Sequence, residues 1–88
     1  MKDMINTVVT TESGAQWRIN EHGNVWRKTH GKKLFYMGLL NDVTQCVIGK
    51  PMMLTVIVRE NGIIKLEKWT TSPVSFIASY DGIVQEAS

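Results

Sequence analysis

Apolar and polar residues alternate along this chain with a period of two, and β-branched and aromatic side chains dominate the apolar positions. That alternation is the mark of strands with one covered face. It predicts strands near Ile5–Thr11, Ala15–Asn20, Asn24–Thr29, Leu34–Met37, Val43–Ile48, Met52–Arg59, Ile63–Trp69 and Val74–Ala78. Turn residues interrupt the pattern at intervals of roughly eight to twelve positions, the spacing of an all-β domain. They fall at Glu12-Ser13-Gly14, Glu21-His22-Gly23, Gly31, Asn41-Asp42, Gly49-Lys50-Pro51, Glu60-Asn61-Gly62 and Ser72-Pro73. The best helical stretch is Gly38–Cys46, and its β-branched residues argue against a helix.

Two turns share a composition and allow the pairing register to be reasoned out. At Glu60-Asn61-Gly62, a two-residue Asn-Gly turn pairs Val58 with Lys65 and Val56 with Glu67. A three-residue loop with a left-handed Gly62 pairs Val58 with Ile64 and Val56 with Leu66. The second register sets apolar opposite apolar, and a slip of one residue moves an apolar row into water. The three-residue loop is therefore the expectation. The same reasoning at Glu21-His22-Gly23 sets Ile19 opposite Val25, Trp17 opposite Arg27 and Arg18 opposite Trp26.

A small all-β chain must hide its sheet edges. The expected fold is a small closed or half-closed antiparallel β-barrel, or a tight two-sheet sandwich, of about seven strands. Met52–Val58, nearly all apolar, reads as a central strand covered on both faces. Residues 1–80 read as one domain and residues 81–88 as a polar, frayed tail.

Composition narrows the function. The chain has 88 residues, 43% of them hydrophobic, with ten basic against eight acidic side chains. A chain of this size buries roughly 60–65% of its unfolded surface and has stability on the order of 5 kcal/mol. A net charge of +2 is too small to imply a polyanionic partner by its field alone. One cysteine, Cys46, leaves no internal disulfide and no thiolate-rich zinc site. No apolar run approaches the ~18–20 residues that span a bilayer as a helix, and the start has no leader-like apolar region. The expectation is a protein of a reducing, cytoplasmic compartment, although a virion protein would share this composition.

Candidate chemistry concentrates between Arg18 and Lys33, which hold five basic residues and one acid, Glu21. Aromatic residues Trp17, Trp26, Phe35 and Tyr36 lie in and beside this stretch. A nucleic-acid surface would use Arg18, Trp26, Arg27, Lys28, Lys32 and Lys33, since aromatic platforms beside a basic groove hold single strands. The plainer reading is a solvated hairpin face whose lysines blunt an edge strand. Trp26 beside Arg18 and Lys28 has the composition of an interface anchor, against the alternative that it fills a core. Trp69 and the segments FYMGLL and PMML read first as core, although methionine-rich surfaces also adapt to partners. A protein-contact surface would then comprise Arg18, Trp26, Lys28, Tyr36 and Met37.

Catalysis is not expected. A nucleophile needs a base beside it, yet His22 and His30 lie at turns and Cys46 reads as a small buried apolar residue. The acids stand singly, mostly at turns and ends. No metal ligand set and no cofactor is expected.

Three turn motifs carry a resemblance. Thr11 with Ser13-Gly14, Gly49-Lys50-Pro51 before the long apolar strand, and Thr70-Thr71-Ser72-Pro73-Val74 stand in an order that resembles small all-β proteins of actinobacteria and their phages. The likeness spans residues 8–77, and this chain is richer in Met, Lys and Asn. It implies an all-β fold and a phage accessory role, acting in the host cytoplasm, and it points to no particular activity. The function expected is therefore a non-enzymatic module that docks to another protein, as a phage accessory or inhibitor protein. The alternatives are a nucleic-acid-binding barrel built on residues 17–36, and a self-assembling or virion structural protein in which homo-oligomer contacts use the edge strands and FYMGLL.

Overall fold

Residues at alternate positions do share faces, and the faces close on themselves. The computed structural model describes residues 4–29 and 31–79 and the backbone of residues 84–86. The described residues form seven strands: β1 (Thr7–Thr11), β2 (Gln16–Ile19), β3 (Asn24–Lys28), β4 (Leu34–Gln45), β5 (Pro51–Glu60), β6 (Ile63–Ser79) and β7 (Val84–Glu86). Each strand pairs antiparallel with the next, and β1 pairs back onto β6. Strands β1 to β6 thus form a closed ring, the small all-β barrel expected from the alternation. Within residues 81–88, expected to form a polar tail, Val84–Glu86 pair with β6.

Inside the ring lies one core. Val9, Trp17, Ile19, Val25, Met52, Leu54, Val56 and Val74 are almost fully buried, with Met4, Val43 and Cys46 packed beside them. Most of these positions obey strict alternation: Trp17 and Ile19 on β2, and Met52, Leu54 and Val56 on β5. The intervening Met53, Thr55 and Ile57 are exposed or half-buried. The expectation that β5 is covered on both faces is therefore corrected. A strand in a barrel has only one inner face.

Two expected turns are instead places where long strands bend. Asn41-Asp42 lies within β4, where Asn41 is an extra residue between the Leu40–Val56 and Asp42–Thr55 pairs. Thr44 is a second extra residue, between Val43–Leu54 and Gln45–Met53. Such bulges bend and twist a strand, which helps a small sheet close. They also shift the phase of the alternation, from Leu40 to Val43, so one strand looked like two. Ser72-Pro73 sits likewise within β6. Opposite β5, the Pro51–Pro73 and Met53–Thr70 pairs leave both Thr71 and Ser72 facing Met52, whose N–H donates to Thr71 Oγ1 at 3.0 Å. Pro73 needs no ladder hydrogen bond from its nitrogen, and its carbonyl accepts one from Glu12 N–H at 2.9 Å. At this corner β6 passes from β5 to β1.

The two Gly-containing ribbons differ. The β2–β3 register is the expected one, with Ile19 opposite Val25, Trp17 opposite Arg27 and Arg18 opposite Trp26. The β5–β6 register is not. Glu60 pairs with Ile63, Val58 with Lys65 and Val56 with Glu67. Asn61 and Gly62 both have positive φ, 52° and 78°, the signature of a two-residue type I′ turn. This overturns the three-residue loop. Lys65, Glu67 and Trp69 therefore share the inner face, while Ile64, Leu66 and Lys68 share the outer one.

Candidate contact surface

The first ribbon splits the basic and aromatic residues between two faces. Arg18, Trp26 and Tyr36 are neighbours across β2, β3 and β4, and Gln16, Lys28 and Leu34 form the next row. Trp26 and Tyr36 meet edge to face, with centroids 4.9 Å apart. The Tyr36 hydroxyl donates to Asn24 Oδ1 at 2.6 Å, which holds its ring against Trp26. Arg18 Nη2 donates to Gln16 Oε1 at 3.3 Å. Trp26 is half-buried on this outer face, so the buried indole of the ribbon is Trp17, at 2% exposure.

Arg27 leaves this group. Opposite Trp17, it shares the inner face, and its Cζ lies 5.6 Å from the Trp17 ring centroid and 5.7 Å from that of Trp69. The two indoles contact each other edge to face at 5.7 Å. Arg27 Nε is buried with no hydrogen-bond partner among the described residues, and the indole faces supply a compensating attraction, worth about 0.5–2 kcal/mol for such a stack. Trp69 belongs to this inner pile and packs on the core, opposite Leu54. Lys32 and Lys33 are exposed on the β3–β4 connection. The six residues grouped for nucleic acid thus do not converge. Arg18, Trp26 and Lys28 share one face, and Arg27 is turned away from it.

A second feature joins this face. β4 pairs with β5 only from Leu39–Ile57 onward, whereas β4 continues back to Leu34 and β5 continues on to Glu60. The strands part there, leaving a cleft of about 370 Å³ lined by Tyr36, Met37, Gly38 and Leu39 on one side and Ile57, Val58, Arg59 and Ile64 on the other. Gly38 marks the fork. Its φ of 128° favours glycine, and a Cβ there would collide with the Ile57 carbonyl. Met37 is the extra residue between the Val25–Gly38 and Trp26–Tyr36 pairs. It is half-buried and packed against the core as well as lining the cleft.

The segment FYMGLL is therefore strand, with Phe35, Tyr36 and Leu39 exposed and Met37 and Leu40 turned toward the core. Sequence reasoning missed Leu39, Ile57, Ile64 and Leu66 as surface residues. The Asn-Gly dipeptide was the signal for the last two, since it selects the register that turns them outward.

Among the described residues no group of three or more His, Cys, Asp or Glu stands together as a metal site. His22 is exposed in its turn, with Nε2 3.4 Å from Glu21 Oε1, and Cys46 is buried. His30 lies outside the described residues. No helix among them is long and apolar enough to cross a membrane. No family model matches the chain, and searches of curated proteins and of solved structures found no match.

Proposed function

We propose that this protein is a non-enzymatic binding module that docks to another protein, an extended apolar segment of which lies in the cleft between β4 and the β5–β6 ribbon. The observation that carries this reading is the fork itself. Tyr36, Leu39 and Ile64 around it are 50%, 44% and 61% exposed, a grouping of large apolar side chains that commonly marks an interaction site. Among the described residues, residues 34–38 of β4 pair only with β3 and residues 58–60 of β5 only with β6, so each wall offers backbone groups to an added strand. Trp26 and Arg18 extend the surface with residue types enriched at binding hot spots. The resemblance in turn motifs supports a finer form, a phage accessory or inhibitor protein whose partner is a host protein.

A photo-crosslinking residue placed at position 36 or 64, in cells of the native source, tests this. A discrete adduct with a different protein, absent when the same probe replaces exposed Thr44, is expected. Recovery of uncrosslinked chain alone from both positions overturns the reading.

A second reading rests on the shared outer face of Arg18, Trp26 and Lys28, which could hold a single strand of nucleic acid. It requires oligonucleotide affinity that falls steeply with salt.

A further inference from the structure

The longest strand leaves part of itself unpaired. β6 pairs with β5 through Ile63–Pro73 on one edge, and with β1 on the other edge only from Val74 onward. Between Ile63 and Thr70 that second edge has no strand partner among the described residues. Across the tight turn, Glu60 and Ile63 form the first pair, which in a two-residue hairpin is the hydrogen-bonded one. Lys65, Glu67 and Trp69 therefore direct their backbone groups to β5, and Ile64, Leu66 and Lys68 direct theirs to the free edge. Ile63, Ile64 and Leu66 are 59%, 61% and 63% exposed. An exposed apolar edge of this kind is what proteins ordinarily blunt, and it is a template for another strand.

We infer that the free edge of β6 pairs antiparallel with the same edge of a second copy of this chain, about a two-fold axis at Leu66. This goes beyond the proposed function, because it uses the backbone edge of β6 rather than the cleft. The charges select both the occupant and the register. With Leu66 on the axis, Lys65 of each copy faces Glu67 of the other, giving two opposite-charge pairs. Ile63 then faces Trp69, and Ile64 faces the aliphatic stem of Lys68. Leu66 lies in the hydrogen-bonding phase, so Ile64, Leu66 and Lys68 all find backbone partners.

Neighbouring registers are worse. An axis at Lys65, Glu67 or Lys68 sets that charge directly against its own copy, which is destabilising in a sheet. An axis at Ile64 brings Leu66 opposite Gly62 and shortens the pairing to the turn. The existing pair between Lys65 Nζ and Glu60 Oε2, at 3.5 Å, is exposed on both sides and competes weakly. The arrangement is isologous and closed, so it yields a dimer and not a fibre.

The test is a charge swap read by sedimentation of the full chain. Wild type is expected to sediment as a dimer. Lys65→Glu and Glu67→Lys each set like charges opposite each other twice, and each should weaken the dimer about tenfold or more. Because chains carrying one or the other substitution complement each other, mixing them in equal amounts should restore a dimer containing one of each. Circular dichroism establishes that both variants keep the β fold. A wild-type chain that stays monomeric at high concentration overturns the proposal. So does a dimer that survives both single substitutions, or a mixture of the two variants that stays monomeric.

Discussion

The two Gly-containing ribbons, NEHGN and RENGI, look alike in sequence and behave differently. In the first, a three-residue loop spans Glu21 to Gly23, and only Gly23 has a positive φ, at 79°. The Asn20 side chain accepts hydrogen bonds from the backbone of His22 at 3.0 Å and of Asn24 at 2.9 Å, which ties the loop down. In the second, two residues make the turn and both are left-handed. The residue before glycine separates them. Asparagine, whose short amide can hydrogen-bond locally, enters the left-handed region more readily than histidine. Position in the fold then decides whether packing can overrule the turn. The first ribbon lies over the core, and its register buries Trp17, Ile19 and Val25. Near its tip the second ribbon projects past the fork, where neither face is covered, so local turn chemistry sets the register unopposed.

The largest expected difference is in packing. Trp17→Ala should cost about 3–5 kcal/mol, as a large buried aromatic whose loss also removes one face of the Arg27 stack. Leu66→Ala, on the exposed ribbon, should fall within about 0.5 kcal/mol when the chain is dilute enough to be monomeric. Urea denaturation of both variants measures the contrast, and equal losses would show that the second ribbon is packed after all.

Asn61→His should cost about 1–2 kcal/mol, the penalty for a left-handed residue without asparagine's local hydrogen bonding. It should also let the ribbon slide toward the three-residue loop. In nuclear Overhauser spectra, contacts between Arg59 and Ile64 would weaken and contacts between Val58 and Ile64 would appear. The smallest effect is expected from His22→Asn, which creates an Asn-Gly dipeptide in the first ribbon. Burial of Ile19 and Val25 should hold that register, with a change of about 0.5 kcal/mol or less. A shift of Trp17 away from Arg27 in the same spectra would show that the turn outweighs the core.

This contrast explains how far the chain could be read. Alternation located β1, β2, β3 and β5 closely, and the all-β barrel with them, because those strands keep one phase against the core. It divided β4 and β6 in two, because bulges at Asn41, Thr44 and Ser75 and the corner at Pro73 reset the phase in ways that resemble turns. The outer grouping of Arg18, Trp26 and Lys28 was legible for the same reason that the first register was, whereas the place of Tyr36 beside Trp26 depends on the bulged β3–β4 pairing. The cleft was not, since it depends on where β4 and β5 stop pairing, and no local pattern states that. Pairing apolar with apolar at Glu60-Asn61-Gly62 assumed a covered face, and that assumption failed on a ribbon that extends beyond the core.

One consequence follows from how the ring is sealed. The seam joins Val8 to Ala78 and Val9 to Ile77, near opposite ends of the chain. Synthesis makes β1 long before residues 74–79, the partner that seals its second flank. The barrel cannot close before residues 74–79 are available, so this seam, a contact of long sequence separation, carries a large loop-closure cost in folding.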